Sequence, residues 1–416
     1  MWKRWRIRIL LFLAVLGPGF ITANVDNDSG GIFTYSQAGA QYGYTLLWTI
    51  IPITIALIVV QEMCARMGVV TGKGLSDMIR EEFGLRITFL LMVALVVVNY
   101  TNVVTEFIGI AGSLHLFHVS KFISVPIGAA LVWSLVVKGD YKSTEKIFLV
   151  ASVVYIAYIF AGVLSQPSWH DALKATVTLP RDSVWRNKDY IYMAIGIVGT
   201  TIAPWMQFYL QSSIVEKGIR VKDYAASRLD VVVGSFFTDL VAWFIVVACA
   251  ATLYVHGMGA IQVASDAAEA MRPLAGDYAF ILFAFGLLNA SLFAASILPL
   301  STAYTVCEGM GFESGVDKSF MEAPLFYWLY TLLIAGGAIT VLILPDSQLV
   351  RFAILSQVLN GVLLPVIIIL MLLLINRSDL MGDFKNSRVW NLIAWSTSII
   401  VIGMTFVMLW GLMPGH

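Results

Sequence analysis

Apolar runs of about 20 residues recur along this whole chain, and nothing else in it restricts the fold as strongly. A run of that length crosses the hydrocarbon core of a bilayer as a helix, because no water is there to satisfy free backbone groups. Of the 416 residues, 59% are hydrophobic and 12% charged, where a soluble domain is about a quarter charged. The composition therefore excludes a soluble globular protein and predicts an all-α polytopic membrane protein. Net formal charge is zero and no basic cluster stands out, so there is no footprint for nucleic acid. Cys64, Cys249 and Cys307 sit singly in apolar surroundings, which is neither a disulfide framework nor a metal motif. The opening "MWKRWRIR" and the apolar run after it have the outline of a signal peptide. No small-residue cleavage site follows, so we read the run as a retained first span.

Eleven spans are expected, near 9–40, 45–65, 87–112, 121–137, 147–165, 189–214, 229–255, 277–303, 323–344, 348–375 and 390–412. Connections are short apart from 166–188, an exposed loop with amphipathic pieces, and 256–276. The whole chain, 1–416, reads as one membrane domain. With the N-terminus cytoplasmic, 19 of the 26 Lys and Arg fall on the cytoplasmic side, among them Lys3, Arg4, Arg6, Arg8, Lys138, Lys142 and Lys146. That bias predicts a cytoplasmic N-terminus and an extracellular C-terminus.

Two of the spans are interrupted. "NVDNDSGGIF", residues 24–33, sets Asp26 and Asp28 beside Gly30 and Gly31 in the middle of the first. Intramembrane carboxylates are costly and mark ion pathways, and the glycines permit an unwound backbone. In the sixth span Gly199, Thr200, Thr201 and Pro204 interrupt "YIYMAIGIVGTTIAPWMQFYLQSSIV". Breaks in the first helix and in the first helix after five spans point to an inverted repeat. Half-helix ends and freed carbonyls then meet at the bilayer midplane as an ion or substrate site.

The same residues carry a family resemblance. "LGPGFITANVDNDSGGIFTYSQAGAQYG" resembles the first span of the Nramp divalent-metal transporters, where GPxF, DPGN and QAGA are typical. "APWMQFYLQS" resembles the family's MPHxxYLHS; "EFIGIAGSL" and "ILSQVLNGVLLPVI" fit its third and tenth spans. The resemblance covers essentially the whole chain. It implies a leucine-transporter-like fold, with five helices (9–165) repeated in inverted form (189–375) and one additional helix (390–412). It also implies that Asp28, the residue at Ala203, and Gln357 face the metal.

The departures bear on which metal. DPGN reads "DSGG", so the metal-binding asparagine position is Gly31. The site methionine position is Ala203, and the two sixth-span histidine positions are Trp205 and Leu210. The third-span aspartate position is Val103, three before the retained Glu106. None of the five histidines falls in a membrane core. Thioether sulfur favours softer transition metals, whereas carboxylate, carbonyl and water suit Mg²⁺, Ca²⁺ and Mn²⁺. Mg²⁺ also keeps several of its waters, so a roomier all-oxygen site fits it. The pattern resembles the Nramp-related magnesium transporter branch, with Mn²⁺ expected to pass as well.

Asp28, Ala203, Gln357 and Gly31 are the candidate metal residues. Asp26 either lines the outer vestibule or caps a half-helix. Asp239, in "FFTDLVAWF", either adds charge near the cavity or is a bonded structural carboxylate. Glu106 has either a functional or a packing role. Asn360, on one helical face with Gln357, bonds a hydrated ion or a neighbouring helix. Trp205 and Thr201 complete the cavity-lining candidates. Asp230 and Glu62 are expected in ion pairs with Arg228 and Arg66.

Transport without proton coupling is expected, because the family's membrane histidines and third-span aspartate are missing. The partners expected are a divalent ion and the bilayer, with no cofactor and no obligate protein partner. Two other readings stand beside this one: a proton-coupled Mn²⁺/Fe²⁺ importer, and a cation-coupled organic-solute carrier on the same fold. An enzyme is not expected, since the chain has no HExxH, no GxSxG and no membrane histidine.

Overall fold

A computed structural model of the chain describes residues 17–138, 155–180, 185, 187–268 and 279–411. The expected spans at 9–40 and 147–165 are described only in part. Lys3, Arg4, Arg6, Arg8, Lys142, Lys146 and His416 lie outside the described residues.

The described elements are helices and turns. They begin with α1 (Pro18–Asn24), α2 (Ser29–Tyr42), α3 (Ile50–Thr71), α4 (Leu75–His115), α5 (Lys121–Val137), α6 (Ile156–Leu164) and α7 (Trp169–Val177). Next come α8 (Lys188–Thr201), α9 (Pro204–Glu216), α10 (Tyr224–Cys249) and α11 (Ala264–Ala268). The chain closes with α12 (Ala279–Met310), α13 (Pro324–Ile343), α14 (Asp346–Ile375) and α15 (Arg388–Gly411). Among the described residues, eight helical stretches are long and apolar enough to cross a membrane, and α5 is a shorter apolar helix.

Local chemistry sets the ends. Gly72 takes a left-handed conformation (φ 64°) after α3, and its N–H returns to Gly68 O, closing the helix. The expected third span, 87–112, is the apolar part of the longer α4, which kinks at Gly84 (φ 79°). In the 166–188 connection, α7 packs against the Trp243 side chain, with Trp169 stacked on Trp243 and Trp243 Nε1 donating to Thr176 Oγ1 at 2.9 Å.

The bundle has apolar outer faces and a polar heart. Leu90 (70%), Phe122 (65%), Ile343 (77%) and Leu392 (68%) are exposed, as a surface in hydrocarbon requires. Asp26, Asp28, Asn102, Glu106, Gln357 and Asn360 are buried. Contacts run between α4 and α12, α8 and α14, and α10 with α1 and α2. Small residues let these backbones approach closely. A Cβ on Gly109 of α4 would lie 2.1 Å from Ser291 Oγ, and one on Gly234 of α10 would lie 2.7 Å from Phe20 Cα.

Candidate functional site

The first break is short. α1 ends at Asn24, Val25–Asn27 form one 3₁₀ turn, and α2 starts at Ser29. Asp28 is the N-cap of α2, its Oδ1 accepting from Gly31 N at 2.6 Å. A carboxylate belongs there, because the first N–H groups of a helix lack partners and carry positive partial charge. Asp26 is therefore not the cap. It is buried in the turn, and neither of its oxygens has a hydrogen-bond partner among the described residues.

The expectation that Gly30 and Gly31 unwind is corrected, since both lie in the first turn of α2. What they provide is close approach. A Cβ on Gly30 would meet Gln357 Nε2 at 2.0 Å, and one on Gly31 would meet Asp26 O at 2.1 Å and Thr200 Oγ1 at 3.3 Å. Gly31 thus leaves no void, for the Asp26 carbonyl fills the space a side chain would take.

The second break is also narrower than expected. Gly199, Thr200 and Thr201 remain helical in α8, and the interruption is Ile202 and Ala203. Ala203, in extended conformation, is the N-cap of α9, and Pro204 follows at the first helical position, where its missing N–H costs nothing. The last carbonyls of α8 have no following helical donors. Gly199 serves close packing, since its Cβ would lie 1.9 Å from Gln357 O and 2.4 Å from Gly361 N. Tyr35 of α2 bonds Thr201 Oγ1 at 2.7 Å, tying the two broken spans together.

From Asp28 a polar network runs into α4 and α14. The Asp28 and Glu106 carboxyl groups lie against one another. Glu106 Oε2 accepts from Ser29 N at 3.3 Å and Ser29 Oγ at 3.0 Å. Thr105 and Ser356 hydroxyls bond at 2.9 Å. Gln357 Oε1 accepts from Asn360 Nδ2 at 2.9 Å, and Asn360 exchanges bonds of 2.8 and 3.1 Å with Asn102. The fold thus gathers Asp28, Gly31, Glu106, Gln357, Asn360 and Thr201 around the first break. The sequence reading missed Asn102, Ser29, Thr105, Ser356 and Tyr35. Asn102 carried one usable signal: it stands four residues before Glu106, on the same helical face.

Other candidates lie to the side. Asp239 of α10 faces the Thr54 hydroxyl, while the neighbouring Thr238 accepts from Asn27 Nδ2 at 2.7 Å. Like Asp26, Asp239 has no hydrogen-bond partner for either carboxylate oxygen among the described residues. Trp205 is buried, and its carbonyl accepts from Ser301 Oγ of α12 at 2.9 Å. Glu62 and Arg66 pair as expected, at 3.0 Å. Asp230 does not pair with Arg228. Its oxygens instead accept from Gly17 N (3.0 Å), Gly19 N (2.8 Å) and Phe20 N (3.1 Å), capping α1 from α10. The Arg228 guanidinium lies over the Trp390 ring. Among the described residues, no three His, Cys, Asp or Glu side chains are grouped to hold a metal by themselves, so main-chain and amide oxygens would have to share in any cation site.

The family described as Nramp, natural resistance-associated macrophage protein-like, matches residues 19–411. A divalent metal cation transporter MntH of Yersinia enterocolitica is 26% identical over 405 residues, covering 95% of both chains. One of Ralstonia nicotianae is 28% identical over 443 aligned positions, covering 100% of this chain and 93% of the relative. Among solved structures, the Eremococcus coleocola manganese transporter superposes with TM-score 0.76 at 22% identity, covering 95% of this chain and 86% of that one. A nucleobase-cation-symport-1 family transporter superposes with TM-score 0.59 at 12% identity, covering 95% and 92%. These likenesses show the all-α, leucine-transporter-like fold expected from the sequence.

Proposed function

The chain belongs to the Nramp family, and from that premise we propose that it imports divalent cations, Mg²⁺ above all with Mn²⁺ also permeating, by alternating access and without proton coupling. The coarse part follows from membership: this is a divalent metal cation transporter of the MntH type. The choice of Mg²⁺ rests on one observation, the oxygen-only character of the first break. Asp28 stands at the head of α2 with Glu106 against it, Gln357 lies behind Gly30, and the Asp26 carbonyl fills the place beside Gly31. None of these offers sulfur or imidazole, and Ala203 supplies no thioether. Hard cations are bound by such oxygens. Because Gly31 opens no space, room for an ion that keeps some of its waters has to come from Ala203.

In this reading Asp28, Gln357 and main-chain oxygens beside Gly31 and Ala203 hold the ion, and Asp26, Asp239, Asn360, Glu106, Thr201 and Trp205 shape its surroundings. The protein acts as a uniporter in the cell membrane, N-terminus cytoplasmic and C-terminus extracellular, with 9–165 and 189–375 as inverted repeats and 390–412 as an added helix. An inside-negative potential favours a divalent ion by about 4–5 kcal/mol per 100 mV, twice the single-charge value, and drives uptake unaided. The contact between the Asp28 and Glu106 carboxyls favours one second reading, a proton-coupled Mn²⁺ importer, because adjoining carboxyl groups provide a place for a proton.

Influx into proteoliposomes loaded with a Mg²⁺-sensitive dye tests the proposal. Saturable Mg²⁺ entry that Asp28→Ala abolishes is expected, with no accompanying proton uptake. Mn²⁺ entry without Mg²⁺ entry would overturn the choice of ion, and proton uptake in step with the metal would overturn the uniport.

A further inference from the structure

We infer that the chain holds an acidic phospholipid where the start of α10 meets the start of α15, with the lipid phosphate on the Arg228 guanidinium and the lipid chains against the apolar side chains beside it. The inference goes beyond transport and does not depend on which ion the first break holds.

Arg228 is a cation whose hydrogen-bonding edge the fold leaves unused. It is exposed, and among the described residues no carboxylate pairs with it. Asp230, two residues on, is buried and taken by the amides of Gly17, Gly19 and Phe20. Glu62 is taken by Arg66 and by the Tyr224 hydroxyl. What Arg228 does have is Trp390. Its guanidinium carbon lies 5.5 Å from the centroid of that ring, and the Arg66 guanidinium lies 5.9 Å from the same ring. The two arginines differ in what remains to them. Arg66 spends its N–H groups on Glu62, the Phe384 and Lys385 carbonyls and Asn386. A guanidinium over an aromatic ring commits only a face, so Arg228 keeps the donors around its edge. That planar fork matches two oxygens of one phosphate.

The surroundings are those of a lipid headgroup. Leu229 and Val389 stand next to Arg228 and Trp390 in sequence, Leu392 follows on α15, and all three are exposed. The surface therefore turns from charged to apolar at this point, and tryptophan is enriched at that depth of a membrane. Tyr224 packs edge-on to Phe384 with centroids 6.1 Å apart, which joins the start of α10 to the segment leading into α15. That segment carries Lys385 and Arg388, and the turn before α10 carries Lys222, all exposed. Against them stand exposed Asp223 and Asp383, while Asp379 is paired with Arg377. The positive excess favours a headgroup with net negative charge, because the cation of a zwitterionic one would face lysine and arginine. The apolar side chains at the edge favour a phosphate that carries acyl chains over a free one.

Native mass spectrometry of the purified full chain, titrated in detergent with phosphatidylglycerol or phosphatidylcholine, tests this. One phosphatidylglycerol is expected to be held about fivefold more tightly than phosphatidylcholine, the equivalent of one basic side chain at a headgroup. Arg228→Gln should erase that preference. Arg228→Lys keeps the charge without the fork, should keep only part of the preference, and serves if the glutamine variant does not fold. Lys318→Gln, which removes a charge from a different connection, should leave the preference unchanged. Equal retention of the two lipids by the wild type, or an undiminished preference in Arg228→Gln or Arg228→Lys, would overturn the inference. An equal loss in Lys318→Gln would reduce it to general charge attraction and overturn it too. So would displacement of the lipid by an equal concentration of soluble glycerol phosphate, since the site would then take a free phosphate rather than a lipid.

Discussion

Removing the Asp230 carboxylate is a perturbation whose size follows directly from the geometry. Its two oxygens receive three backbone N–H groups at the start of α1, from Gly17, Gly19 and Phe20. Hydrogen bonds to a charged group are worth about 1.5–3 kcal/mol each, and an orphaned buried donor costs about 1–3 kcal/mol. These terms do not add fully, and water reaches a helix end more easily than a helix middle. About 2–4 kcal/mol is therefore expected for Asp230→Ala, confined to α1 and its contact with α10. At tenfold per 1.4 kcal/mol, local opening becomes roughly 30- to 700-fold more frequent. Asp230→Asn keeps one acceptor oxygen but turns an NH₂ group toward an N–H. It should cost about 1–2 kcal/mol, roughly 5- to 30-fold. Hydrogen–deuterium exchange of the peptide 17–24 in lipid nanodiscs measures this, with α14 peptides as the internal control. Wild-type exchange over 17–24 in Asp230→Ala would refute the reasoning, and so would faster exchange in α14 as well.

Further outcomes follow from the two breaks. Gly199→Ala sets a Cβ 1.9 Å from a backbone carbonyl, whereas the nearest atom to one at Gly196 is 3.4 Å away. Overpacking of the first kind costs about 1–3 kcal/mol, so Gly199→Ala should lower the melting temperature while Gly196→Ala leaves it unchanged or slightly raised; equal melting would refute the close crossing. Ala203→Met adds a soft ligand beside the break and should raise the ratio of Mg²⁺ to Mn²⁺ KM about tenfold, and a constant ratio would place residue 203 away from the ion. Glu106→Gln keeps an acceptor for Ser29 and removes one charge near Asp28. It should weaken Mg²⁺ about tenfold in the same influx assay, the equivalent of about 1.4 kcal/mol of screened attraction, and unchanged influx would make Glu106 a packing residue.

The first break was legible because charge in the middle of an apolar run has few explanations. Its internal anatomy was not. Nothing in "DNDSGG" says which aspartate caps α2, because either could reach an N–H and only the turn at Val25–Asn27 decides for Asp28. The glycines were read through their backbone freedom, whereas the fold uses their missing side chains, a property that depends on neighbours as distant in the chain as Gln357. The partners of Asp230 are main-chain amides more than 200 positions earlier, and amides carry no residue identity to recognise. Asn102, Thr105 and Ser356 were overlooked as single polar residues in long apolar helices, each ordinary until the others are beside it. Helix existence, by contrast, came through among the described residues where the run was long and apolar, since the bilayer leaves few other solutions.

The crossing of α8 and α14 has a mechanical consequence. At Gly199 and Gly361 backbone meets backbone: a Cβ on Gly361 would sit 2.7 Å from Ile195 O, and one on Gly199 would sit 1.9 Å from Gln357 O. Ile191, Ile195 and Val358 pack beside this backbone contact, and packed contacts of this kind switch in steps or not at all. Such a close joint favours movement of the two helices together. Shear within the bundle is absorbed more readily where side chains alone meet, as along the seam of amides between α4 and α14.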